Sequence, residues 1–173
     1  LRRRGIRVAT GDHDVVDPEQ HGESLAHARR AGTATTMACV SESLRVERSG
    51  LSGVVARVTL TRPEAHNAFD AALIGDLRRT FEALGREPAS RLRAVVLAGE
   101  GSSFCAGADL GWMRAALTLD REANEHDAMA MAEMFEALDT CPVPVIARVH
   151  GAALGGGMGL CAVADLVIAE AGT

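Results

Sequence analysis

Tyrosine and lysine are both missing from this chain, and all 18 of its basic residues are arginine. Without lysine there is no internal Schiff base, which excludes PLP-type catalysis, a Tyr–Lys reductase dyad and a P-loop lysine. Aromatic residues make up only 3% of the sequence. No apolar run approaches the about 18 residues of a membrane span, so a chain without membrane partners is expected. An excess of positive charge is absent too. The formal net charge is -5, which leaves no electrostatic footprint for nucleic acid or an anionic membrane surface. The four cysteines, Cys39, Cys105, Cys141 and Cys161, form neither a C-x-x-C pair nor a zinc spacing. No metal site is expected. With no secretory signal read, four reduced thiols in a cytoplasmic protein are expected.

What is present is ordinary globular material. Hydrophobic residues are 47% and charged residues 24% of 173, the size of one domain. Residues 1–36 stand apart, mixing Arg2, Arg3, Arg4, Asp12, Asp14, Asp17 and Glu19 with no helical or strand period and no aromatic residue. The expectation is that Met37 is the native start and that 1–43 is an extension, poorly ordered over 1–36, ahead of a domain over 44–173.

From Leu44 the pattern becomes regular. Residues 44–48 alternate with period two, 54–60 make a second strand, and Ser49-Gly50-Leu51-Ser52-Gly53 turns between them. Asp70 is an N-cap for a helix whose buried stripe is Leu73, Leu77, Phe81 and Leu84, ended by Gly85 and Pro88. Residues 94–98 are a short apolar run of the kind buried on both faces of an α/β layer, and 145–149 are the next buried strand. Helices are predicted over 109–116 and 121–139, the second with Met131, Met134, Phe135 and Leu138 on one face. A helix to about Val163 and a strand over 166–169 close the pattern. The order β-β-α-β-α-α-β-α-β is an α/β fold with short crossovers.

Two glycine-rich loops each follow a buried strand and precede a helix: Phe104 to Asp109, and Gly151 to Gly157. Backbone N–H groups at such turns lack helical partners and sit at the positive helix end. Two of them converging on one point would make an oxyanion hole for a polarised carbonyl. Close packing alone is the competing reason for the glycines. Neither loop is a dinucleotide fingerprint, since Leu160 and Ala162 stand where the third glycine would be.

Four segments carry a family resemblance: TLTRPEAHNAF at 59–69, FCAGADLGW at 104–112, PVPVIARVHGAALGGGMG at 142–159 and LCAVADLVIA at 160–169. In this order and spacing they resemble the crotonase (enoyl-CoA hydratase/isomerase) superfamily, and within it bacterial methylglutaconyl-CoA hydratases. The resemblance implies a ClpP/crotonase-like spiral of ββα units that holds a coenzyme A thioester. The coenzyme A is then part of the substrate, and no separate cofactor is expected. It implies that the N–H groups of Ala108 and Gly156 are the oxyanion hole. It further implies that Ala65, His66, Ala68, Ala106, Asp109, Leu110 and Trp112 contact the acyl-CoA. Full-length relatives assemble as trimers or dimers of trimers.

Two departures from the family pattern matter. The first glutamate of the hydratases falls at 159, where this chain has Gly159, and the second falls beyond Thr173. The spiral is therefore expected to be incomplete at its C-terminus, and the chain by itself to hydrate crotonyl- or methylglutaconyl-CoA little or not at all. The activity that the resemblance implies is hydration of a 2-enoyl-CoA through the oxyanion hole; the alternatives are a Δ3,Δ2-enoyl-CoA isomerase and a catalytically inactive thioester binder. A ClpP-like serine peptidase would need its nucleophile at Gly157. Asp109 doubles as a helix N-cap. Met113 is a further candidate for the acyl wall. Cys105, Glu125, His126, Glu133, His150 and Asp165 are expected in structural or solvated roles.

Overall fold

The structure, a computed structural model, describes residues 41–173. The expectation of a poorly ordered leader falls on residues 1–36, outside the described residues. Residues 41–43 are tied to the sheet: Ser43 is buried, and its carbonyl accepts the Thr61 N–H at 3.0 Å.

Strands β1 (Leu44–Ser49) and β2 (Val55–Leu60) form the expected antiparallel hairpin, with Leu44 opposite Leu60 and Ser49 opposite Val55. Helix α1 (Ala71–Gly85) follows, with the Asp70 side chain accepting the Leu73 N–H at 2.8 Å. Its buried residues are the expected stripe plus Ile74. Next come β3 (Ala94–Gly99), the short β4 (Ser103–Cys105), α2 (Leu110–Ala116) and α3 (Arg121–Asp139). The chain then forms β5 (Val145–Val149), β6 (Ala152–Ala153), α4 (Gly156–Val163) and β7 (Leu166–Ala169). The main sheet has five strands in the order β1-β2-β3-β5-β7, parallel from β2 onward. Asp165 has the structural role expected: its carboxylate accepts the Val145 N–H at 2.9 Å and joins β7 to β5.

The hydrophobic core lies on one face of this sheet. Val46, Val58, Val95, Leu97, Val145 and Ala147 are buried there together with Leu73, Leu77 and Phe81 of α1 and Met134 and Leu138 of α3. The expectations that β3 is covered on both faces and that β5 is a buried strand are corrected. Val96 and Ile146 are only half-buried, and Arg148 is exposed. The strands are apolar enough for a two-sided layer, but among the described residues the opposite face lacks an equivalent helical cover.

Strands β4 and β6 were not anticipated. They pair in parallel as a separate two-stranded sheet, Ser103 with Ala152 and Cys105 with Ala153. Segments of two and three residues are too short to show a period. Their pairing brings the two glycine-rich loops side by side.

Candidate functional site

The site region is laced from three loops. The first runs from β2 to α1. After the short 3-10 turn Pro63–Ala65, His66 and Asn67 both lie in the left-handed region, at φ 50 and 55. Asn67 is fully buried and acts as a bolt. Its side-chain oxygen accepts the Arg62 N–H at 3.0 Å, and its amide donates to the carbonyls of Glu100 and Ser103, both at 2.8 Å. The Arg62 guanidinium spans the same region. It donates to the Ala68 carbonyl at 2.8 Å and pairs with Asp70 at 2.8 Å and Asp109 at 3.6 Å. One cation thereby joins the N-caps of α1 and α2.

The second loop follows β4. Phe69 and Ala108 form a parallel bridge, in which the Phe69 N–H donates to Gly107 at 2.6 Å and the Asp109 N–H donates to Phe69 at 2.8 Å. In such a bridge the N–H of the central residue, Ala108, is turned to the other side. It donates to no described residue. Nearby, the Ala106 N–H donates to His66 at 3.0 Å.

The third loop follows β6. The Leu154 N–H donates to the Cys105 carbonyl at 3.0 Å. Gly107 has φ 93, and a Cβ there would stand 2.9 Å from the Leu154 carbonyl oxygen, so only glycine lets the loops touch here. Gly156 opens α4, and its N–H likewise donates to no described residue. First-turn N–H groups have no helical acceptor and carry the positive end of the helix dipole. The structure thus places Ala108 and Gly156 each one residue beyond the contact of Gly107 with Gly155, with two unpaired donors on adjoining loops.

The sequence-predicted contact residues divide into two groups. Ala65, His66, Ala106, Ala108, Asp109 and Leu110 gather on the laced loops, with Leu110 70% exposed. Ala68 is there too, but it is buried and its carbonyl is held by Arg62. Asp109 is the expected N-cap, accepting from the N–H groups of Gly111 and Trp112 at 2.8 and 3.1 Å. Trp112 is partly buried and packs against the hydrophobic core instead. It lines a cavity of about 300 Å³ with Ile74, Arg78, His126 and Ala130. A second cavity, about 610 Å³, lies between β1 and α1, away from the glycine loops.

The remaining titratable candidates have other work. Glu133 pairs with Arg78, and Glu125 with Arg121. His126 is mostly exposed, and His150 sets Nε2 2.9 Å from the Gly101 carbonyl. Burial pushes the Cys105 thiol up to about 11, so it is protonated at neutral pH and a poor nucleophile. Among the described residues no group of His, Cys, Asp and Glu side chains is arranged to hold a metal ion. No described helix is long and apolar enough to cross a membrane.

Arg62, Asn67 and Phe135 are the residues that sequence reasoning missed here. Asn67 lay within a motif but read only as the opening of α1, and Arg62 gave no signal beyond its motif letter. Phe135 read as one more core position of α3, whereas its ring packs beneath Gly159.

Residues 50–172 match the family model described as enoyl-CoA hydratase/isomerase. An enoyl-CoA hydratase of Alternaria alternata is 38% identical over 113 residues, covering 65% of this chain and 35% of its own length. The crystal structure of an enoyl-CoA hydratase from Shewanella pealeana superposes with a TM-score of 0.68 at 37% identity, over 73% of this chain and 46% of that one. That of the Mycobacterium smegmatis enoyl-CoA hydratase gives 0.68 at 39%, over 75% and 48%. The chain spans about half or less of the length of these relatives. Its fold is that of the matched part of a crotonase-type spiral, and the chain belongs to the enoyl-CoA hydratase/isomerase family.

Proposed function

We propose that this chain binds an acyl-CoA thioester with its carbonyl oxygen between the N–H groups of Ala108 and Gly156, and that it contributes this oxyanion hole to the hydration of a 2-enoyl-CoA. The observation that carries the reading is the pair of unpaired donors on adjoining loops, one of them at the start of α4. Addition of water to an enoyl thioester builds negative charge on that oxygen, and fixed donors stabilise it without reorganising. One such donor is typically worth ~2.7–4 kcal/mol. On this reading the coenzyme A runs along Ala65, His66, Ala68 and Ala106, and the acyl group meets Leu110. Methylglutaconyl-CoA is the specific substrate favoured by the likeness of the FCAGADLGW loop. Hydration also needs a proton donor and an activated water. Glu125 and Glu133 of α3 pair with arginines and Gly159 supplies no carboxylate, so on this reading the described residues polarise the carbonyl rather than move the proton.

Calorimetric titration with butyryl-CoA and with S-butyl-CoA, its thioether lacking the carbonyl, tests the reading. The thioester is expected to bind about tenfold tighter, the worth of one to two net hydrogen bonds. Equal affinity for the two would overturn it.

A further inference from the structure

We propose that Phe135 of α3 is a specificity-determining residue of the acyl site, standing in the space that a side chain from position 159 would fill. The proposal rests on the reading of Ala108 and Gly156 as the carbonyl site.

The first turn of α4 lies directly on two aromatic rings. A Cβ at Gly156 would stand 2.4 Å from Cε2 of Phe69, and one at Gly159 would stand 2.6 Å from Cζ and 2.8 Å from Cε1 of Phe135. Residues 156 and 159 are three apart, so they share a helix face. The two rings meet edge to face, with centroids 6.3 Å apart and planes at 66°. One aromatic pair therefore underlies the face of α4 that begins at the proposed carbonyl donor. Its members differ in freedom. Phe69 is fully buried, and its backbone is bridged to the loop of Ala108. Phe135 is only half-buried, on a helix bonded to neither glycine loop.

Position 159 lies about 4.5 Å along the helix axis from 156. In this proposal the acyl group runs along α4 from the Gly156 N–H, so that its next few carbons pass the Phe135 ring. An aromatic face there packs against the first acyl carbons and limits the length of the group behind them. It also disfavours a carboxylate at 159, which would be desolvated against the ring without a partner. Glycine at 159 and phenylalanine at 135 thus form a matched pair. A larger residue at 159 requires a smaller one at 135.

The test uses the full 173-residue chain and its F135A, F135L, G159A and F135A/G159A variants. Each is titrated with acetyl-, butyryl- and octanoyl-CoA and with free CoA, by calorimetry and by the fluorescence of Trp112, the single tryptophan. The octanoyl-to-acetyl affinity ratio should rise about tenfold in F135A and by less in F135L, a comparison made within each variant so that losses of folded protein cancel. G159A alone should weaken butyryl-CoA about tenfold, and F135A should remove that penalty, the coupling expected of residues in contact. An unmoved ratio, or a G159A penalty that persists beside F135A, overturns the role of Phe135. If wild type binds acetyl-CoA no better than free CoA, the carbonyl site fails, and the acyl wall falls with it.

Discussion

Asn67 holds three strands of the loop network on one buried side chain, in a left-handed backbone conformation that Asn tolerates better than most residues. Asn67→Ala leaves one buried N–H and two carbonyls short of a partner and keeps the strained φ. The expected loss is roughly 2–4 kcal/mol of stability. Asn67→Gly relieves the strain but not the lost hydrogen bonds, and should recover only the smaller part. Urea unfolding of the three proteins measures both, and an alanine variant as stable as wild type would show that the bolt is ornamental. The residue scale is also where the sequence was least legible. Asn67 stood within a resemblance motif, but nothing in its neighbours told that its amide reaches Ser103, 36 positions away. That position 159 carries no carboxylate is plain from the sequence. That Phe135 fills the space was invisible, because the 3.6 period of α3 marks a face and not what faces it.

At the level of elements, periodicity and capping carried most of the reading. The hairpin, α1, α3 and the Asp109 cap lie where the alternation, the apolar stripes and the N-cap residues placed them. Two features resisted. The β4–β6 pair is set by contact between distant loops, with too few residues to leave a pattern. The exposure of Arg148 and the half-burial of Val96 depend on what covers the sheet, which apolar runs do not encode. The cap of α2 can be tested directly. Asp109 both caps the helix and faces Arg62, so Asp109→Ala should loosen this seven-residue helix by about 1 kcal/mol. Asp109→Asn keeps the capping oxygen and should retain most of that. Hydrogen exchange at Gly111 and Trp112 reads the difference. Equal protection in wild type and Asp109→Ala would contradict the cap.

Across the whole molecule, these local devices serve one geometry. A one-sided, largely parallel sheet delivers two strand ends to the same edge, β4 and β6 lock the loops that leave them, and Arg62 and Asn67 tie in the loop from β2 to α1. The order of motifs along the chain made the family legible. The side-by-side placement of the loops came only with the fold. In the proposed function, Ala108 and Gly156 together polarise one carbonyl. Isotope-edited infrared difference spectroscopy of [1-13C]butyryl-CoA, saturated with the protein, observes that carbonyl itself. Two fixed donors withdraw more electron density than water does, so the account predicts that the bound thioester C=O stretch moves to lower wavenumber than in free solution. A bound carbonyl whose band stays at its solution position, or moves up as in an apolar pocket, would contradict it.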